Sequence, residues 1–131
     1  MQAEKEGSTM KQYDAFIDAY LKGDSLFRFV YVPERKELFL EDELEEQDNG
    51  KFLYVPFKDS RELYLRMATF SDRQSKDIEE KLYRALSAPS PIDQFQKAVK
   101  ELDLTDTWER EKRAYALENI IAWFETHHLT L

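Results

Sequence analysis

Phe29-Val30-Tyr31-Val32-Pro33 and Phe52-Leu53-Tyr54-Val55-Pro56 are one pattern written twice, Phe-x-Tyr-Val-Pro. Both runs are rich in aromatic and β-branched residues, which suit a pleated, half-buried surface. Both end at a proline, which cannot donate to a ladder and is tolerated at strand ends and edges. Each therefore reads as a strand. Pro33-Glu34-Arg35-Lys36 reads as a turn, and Glu37-Leu38-Phe39-Leu40 as the strand that returns from it. If Pro33 pairs with Lys36, Tyr31 faces Leu38, Val30 faces Phe39 and Phe29 faces Leu40. Side chains alternate along a strand, so Phe29, Tyr31, Leu38 and Leu40 share one face and Val30, Val32 and Phe39 the other. Both faces are apolar and need cover, or one of them meets a partner. The third strand, about residues 51–57, is expected to run antiparallel to the second. The result is a three-stranded antiparallel meander with the two pentapeptides on its outer strands. The segments around the pentapeptides do not repeat, so they mark two strands of one sheet rather than a duplication.

Outward from the sheet the signals are helical. Residues 1–8 read as a flexible tail, and Thr9 with Gln12 has the spacing of a capping box. Tyr13, Phe16, Ile17, Tyr20 and Leu21 follow on one helical face, and Gly23 is a suitable stop. After Phe57, Asp59 with Glu62 boxes the start of a helix bearing Leu63, Met67 and Phe70. Ser75 precedes a second, with Ile78, Leu82, Ala85 and Leu86. Pro89-Ser90-Pro91 breaks the chain. Ser90 is placed to cap a third helix with Pro91 at its first position and Phe95, Val99 and Leu102 on one face. Asp106 and Glu109 box the last helix, about residues 108–127, striped by Leu117, Ile120, Ile121 and Phe124. The fold class is α+β, one helix before the sheet and about four after it, in a single domain over residues 9–131.

The composition agrees. A chain of 131 residues with 42% hydrophobic content supports one core. It has no cysteine, which excludes disulfides, thiolate metal sites and a cysteine nucleophile. No apolar run approaches the roughly 20 residues of a membrane span, and Met1-Gln2-Ala3-Glu4-Lys5-Glu6 lacks the apolar stretch of a signal peptide, so a cytoplasmic protein away from membranes is expected. The net charge of −8 is local: Glu41, Asp42, Glu43, Glu45, Glu46 and Asp48 lie in a stretch without Lys or Arg. A calcium loop with Gly50 at its glycine position would put Pro56 where the final bidentate carboxylate belongs, so the stretch reads as a solvated connection.

The order and spacing of Lys51-Phe52-Leu53-Tyr54-Val55-Pro56, Tyr64-Leu65-Arg66-Met67-Ala68-Thr69-Phe70, Leu82-Tyr83-Arg84-Ala85-Leu86, Phe95 with Val99, and Trp108 to Trp123-Phe124 resemble an uncharacterised bacterial family of small α+β proteins of unknown function. The likeness spans about residues 12–129. It departs at Phe95-Gln96, where that family favours Phe-Lys, and at Glu111-Lys112-Arg113, where it favours an aromatic-Arg-Asp run. The resemblance implies a fold and no catalytic residue.

No site motif emerges. His127 and His128 point about 100° apart on a helix and suit its C-terminal dipole better than a shared metal. With three glycines there is no phosphate-cradling loop or dinucleotide fingerprint, and no Ser sits in a nucleophile elbow. No cofactor is indicated. Asp14, Asp18 and Glu118 are the only carboxylates near buried segments, and each reads as a wet-face residue. Exposed aromatic strands can stack bases, but the acidic stretch repels phosphate, and Arg110, Lys112 and Arg113 are interleaved with Glu109 and Glu111, so nucleic acid is not expected. The reading favoured is a non-enzymatic protein-interaction module, its partner another protein or a second copy of itself. The expected surface is either the sheet face of Val30, Val32 and Phe39 or the acidic residues Glu43, Glu45 and Glu46. Two alternatives stand beside it: a small hydrolytic or ligand-binding enzyme with its site between sheet and helices, and an acidic inhibitor of a basic enzyme in the manner of immunity proteins and antitoxins.

Overall fold

A computed structural model describes residues 11–131. The expected tail and the Thr9 cap lie outside them. The described chain runs α1 (Asp14–Lys22), β1 (Phe29–Val32), β2 (Glu37–Leu40), two 3₁₀ turns (Glu41–Glu43 and Glu46–Asp48), β3 (Leu53–Tyr54), α2 (Ser60–Asp72), α3 (Lys76–Leu86), α4 (Pro91–Glu101) and α5 (Thr105–Thr126). This is the expected α+β succession of one helix, three antiparallel strands and four helices. It divides into two compact units: one takes the chain up to Lys58 with Arg113–Leu131, and the other is Asp59–Lys112.

In the first unit the β1–β2 register is the expected one, with Phe29 opposite Leu40, Val30 opposite Phe39 and Tyr31 opposite Leu38. The strand order is not. It is β2-β1-β3, with β3 pairing β1 through Val30–Tyr54 and Tyr31–Leu53, so the sheet is not a simple meander. The first pentapeptide is central and the second is an edge. β1 is the most apolar strand and gains most from a neighbour on each side, which leaves Pro56 and the charged turn at the margins. Since β2 and β3 are both antiparallel to β1, they are parallel to each other, and the chain between them has to cross the sheet.

The Phe29–Tyr31 face packs on α1 and on the α5 residues from Tyr115 onward, in a core of Phe16, Ile17, Tyr20, Tyr31, Val55, Tyr115, Ile120 and Phe124. Phe16 meets Tyr31 and Phe124 edge to face at 5.1 and 4.9 Å. Each large side chain so buried contributes about 1.5–3 kcal/mol. The buried Tyr20 hydroxyl donates to the Tyr115 hydroxyl oxygen at 3.1 Å. Gly23 ends α1 with an extended backbone, not the left-handed turn a glycine stop usually makes. Its need is for space, because a Cβ there would lie 2.8 Å from the Ala19 carbonyl oxygen and 3.1 Å from Phe57 Cβ.

In the second unit, α2, α3, α4 and the start of α5 enclose Leu63, Met67, Phe70, Leu82, Leu86, Phe95, Val99 and Trp108. Asp59 caps α2 as expected, accepting from the Arg61 and Glu62 amides at 2.8 and 3.1 Å. Ser75 and Ser90 occupy the N-cap positions of α3 and α4 without a side-chain cap, and Ser90 is left-handed at φ 54. The α4 start rests on Pro91 instead. α5 begins at Thr105, ahead of the expected box, so Asp106 is a first-turn acid favoured by the dipole. Left-handed Asp103 and His128 close α4 and α5, with the Leu104 and Leu129 amides reaching back to the Val99 and Phe124 carbonyls at 2.8 Å each.

Candidate interaction surface

The crossing connection carries the acidic stretch, and two contacts shape it. Where it leaves β2, the Leu40 amide donates to Glu43 Oε1 at 2.8 Å. Further along, Arg35 Nη1 donates to Asp48 Oδ2 at 3.0 Å, and the Asp48 side chain is only 5% exposed. The Arg35 guanidinium also lies over the Phe39 ring, 5.0 Å from its centre. The Arg35 contacts place the Asp48 end of the connection on the Val30, Val32 and Phe39 side of the sheet.

That placement corrects the surface expected from sequence. Val30 and Val32 are 0% and 1% exposed, so they are core and not a contact face. Phe39 is half-buried beneath Arg35. Glu43, Glu45 and Glu46 are exposed, with Glu41 and Asp42 beside them. Among the described residues no ion pair reaches any of these five; Asp48 alone of the stretch has a cation. Among the same residues no three His, Asp or Glu are grouped to hold a metal ion.

The other side of the β2 edge is a groove of about 280 Å³. Ala15 and Ala19 of α1 form one wall and Phe29, Leu38 and Leu40 the other, with Asp18, Lys22 and Glu43 at the rim. The backbone there is also open. The Glu41 amide donates to the Arg28 carbonyl at 3.0 Å, so in the alternating antiparallel ladder Phe39 and Glu37 bond β1 while Leu38 and Leu40 turn their amides outward. Leu40 is satisfied by Glu43; the outward amide and carbonyl of Leu38 have no partner among the described residues.

Of the remaining sequence candidates, Asp14, Asp18 and Lys112 are engaged in ion pairs. Asp14 and Asp18 accept from Arg113 at 3.0 and 2.8 Å, joining α1 to α5. Asp18, with Asp14 adding to it, holds the guanidinium above its usual range although burial pulls the other way. Glu118 is exposed. Lys112 pairs with Glu109 at 2.8 Å on its own helix, and Glu111 pairs with Arg73 of α2. His127 and His128 are exposed at the end of α5. The α1–β2 groove was missed. Its signal is Ala15 with Ala19, two small residues one turn apart beside the apolar stripe of α1.

No family model, curated protein or solved structure matches the chain. Among the described residues no helix is long and apolar enough to cross a membrane.

Proposed function

We propose that the chain is a non-enzymatic protein-interaction module whose acidic stretch, Glu41 to Glu46, takes a basic segment of a protein partner. One observation carries the reading: Glu41, Asp42, Glu45 and Glu46 are exposed and lack a cation among the described residues, while the backbone bearing them is tied at both ends by Leu40–Glu43 and Arg35–Asp48. Like charges held this close repel, and a fold that gathers them without a counter-charge leaves the relief to cations from outside.

The test is calorimetric titration with a capped heptapeptide of alternating lysine and valine and with its glutamate–valine counterpart. The lysine peptide is expected to bind and to weaken at least about tenfold between about 0.05 M and 0.5 M salt. The combined Glu41→Gln, Asp42→Asn, Glu45→Gln and Glu46→Gln variant, which leaves the Glu43 cap in place, is expected to bind more slowly and with less salt dependence. Equal affinity for the two peptides, or an unaltered variant, would overturn the reading.

A further inference from the structure

Resting on that reading, we infer that the basic segment docks as an added β-strand along the edge of β2, its alternate side chains entering the groove against α1. Three independent features converge on this edge. Leu38 presents both an amide and a carbonyl outward with no partner among the described residues. Directly beside them lies the 280 Å³ groove floored by Ala15, Ala19, Phe29 and Leu38, on the side of the sheet that faces α1. The acidic connection runs from Glu43, at the rim of that groove, to Asp48, which Arg35 holds on the opposite side beside Phe39.

An extended chain alternates its side chains between the two faces of the sheet it joins. A segment paired with Leu38 therefore sends every second side chain into an apolar groove and the others toward the face where Glu45 and Glu46 lead to Asp48. The occupant is thereby specified as apolar and basic residues in alternation. Charge complementarity selects lysine or arginine on the outer side, and the alanine wall leaves depth for an aliphatic side chain on the inner one. Glu43 sets the limit of the added strand, because its carboxylate already holds the Leu40 amide. The other edge is poorer: β3 is two residues long and Pro56 follows it closely.

The experiment uses copies of the lysine–valine heptapeptide, each N-methylated at one backbone nitrogen. Strand addition predicts one sensitive position: methylation at the nitrogen that pairs with the Leu38 carbonyl weakens binding about tenfold, the loss of one ladder hydrogen bond, while positions whose nitrogens face away from β2 change it less than about twofold. Ala15→Phe, at an exposed helix position, is expected to weaken the same peptide at least about fivefold by filling the groove. If the lysine peptide binds with its charge dependence intact but tolerates methylation everywhere, strand addition is overturned and the electrostatic reading stands. If the lysine peptide binds no better than its glutamate counterpart, both fail. A dimer in analytical ultracentrifugation that the peptide does not dissociate would assign the edge to a second copy and also overturn the inference.

Discussion

The Leu40 amide faces away from the sheet and is held by the carboxylate of Glu43, three residues on, at 2.8 Å. A side chain thus closes the end of an edge strand that would otherwise offer a longer row of open backbone groups. Glu43→Ala is expected to speed hydrogen exchange at Leu40 about tenfold. The stability cost should be small, about 0.5–1 kcal/mol, because the bond is exposed. Unchanged exchange would show that the carboxylate does not protect the edge.

Asp48 is the buried anchor of the crossing connection. Its partner Arg35 keeps 37% of its side chain in solvent, so removing Asp48 does not strand a buried cation. Asp48→Ala is therefore expected to cost about 1.5–3 kcal/mol, the range of a hydrogen bond to a charged group, rather than the larger penalty of a broken interior pair. Urea unfolding measures it, and faster exchange across residues 46–54 should accompany it. A loss below about 0.5 kcal/mol would remove Asp48 from this role.

At Gly23 two effects oppose. The backbone conformation, φ −68 and ψ 154, is open to any residue, so alanine would stabilise by limiting the unfolded chain. The Cβ would meet the Ala19 carbonyl at 2.8 Å, and a backbone oxygen in a helix cannot step aside as a flexible side chain can. Overpacking should win: Gly23→Ala is expected to lower stability by about 1–3 kcal/mol in urea. A stabilised variant would contradict the packing described.

Tyr83 donates to Asp72 and its phenol is pushed up to about 12, chiefly by that hydrogen bond, then by burial and by the Asp72 charge. A folded value above the unfolded 10.0 means that the folded chain holds the proton more tightly. The contribution is full below pH 10 and is lost as pH rises through about 12. In absorbance titrations, Tyr83→Phe should lack one step near pH 12, and Asp72→Ala should bring that step down toward pH 10. An unaltered protein without a step near pH 12 that Tyr83→Phe removes would contradict the contact.

Local chemistry made much of this fold legible. The β1–β2 register followed from Pro33, Lys36 and alternation, and the α2 cap from Asp59, because both depend on neighbours in sequence. Strand order did not follow, since it depends on which strand gains most from two neighbours and on a connection able to cross the sheet. The same crossing explains the misplaced surface. Val30 and Val32 look available when only helices are counted as cover, whereas the Asp48 end of the acidic connection lies on their side of the sheet. Glu43, Glu45 and Glu46 were legible as exposed charge. The groove between Ala15 and Leu38 was not, because it arises where two elements distant in sequence meet.

The most direct test of the central claim is amide chemical-shift mapping during titration with the lysine–valine heptapeptide. The account expects perturbations confined to Leu38–Glu46 and the Ala15–Ala19 turn of α1, slower hydrogen exchange at Leu38, and no response to the glutamate–valine peptide. Perturbations centred elsewhere on the chain, or none at any concentration of the lysine peptide, would contradict it.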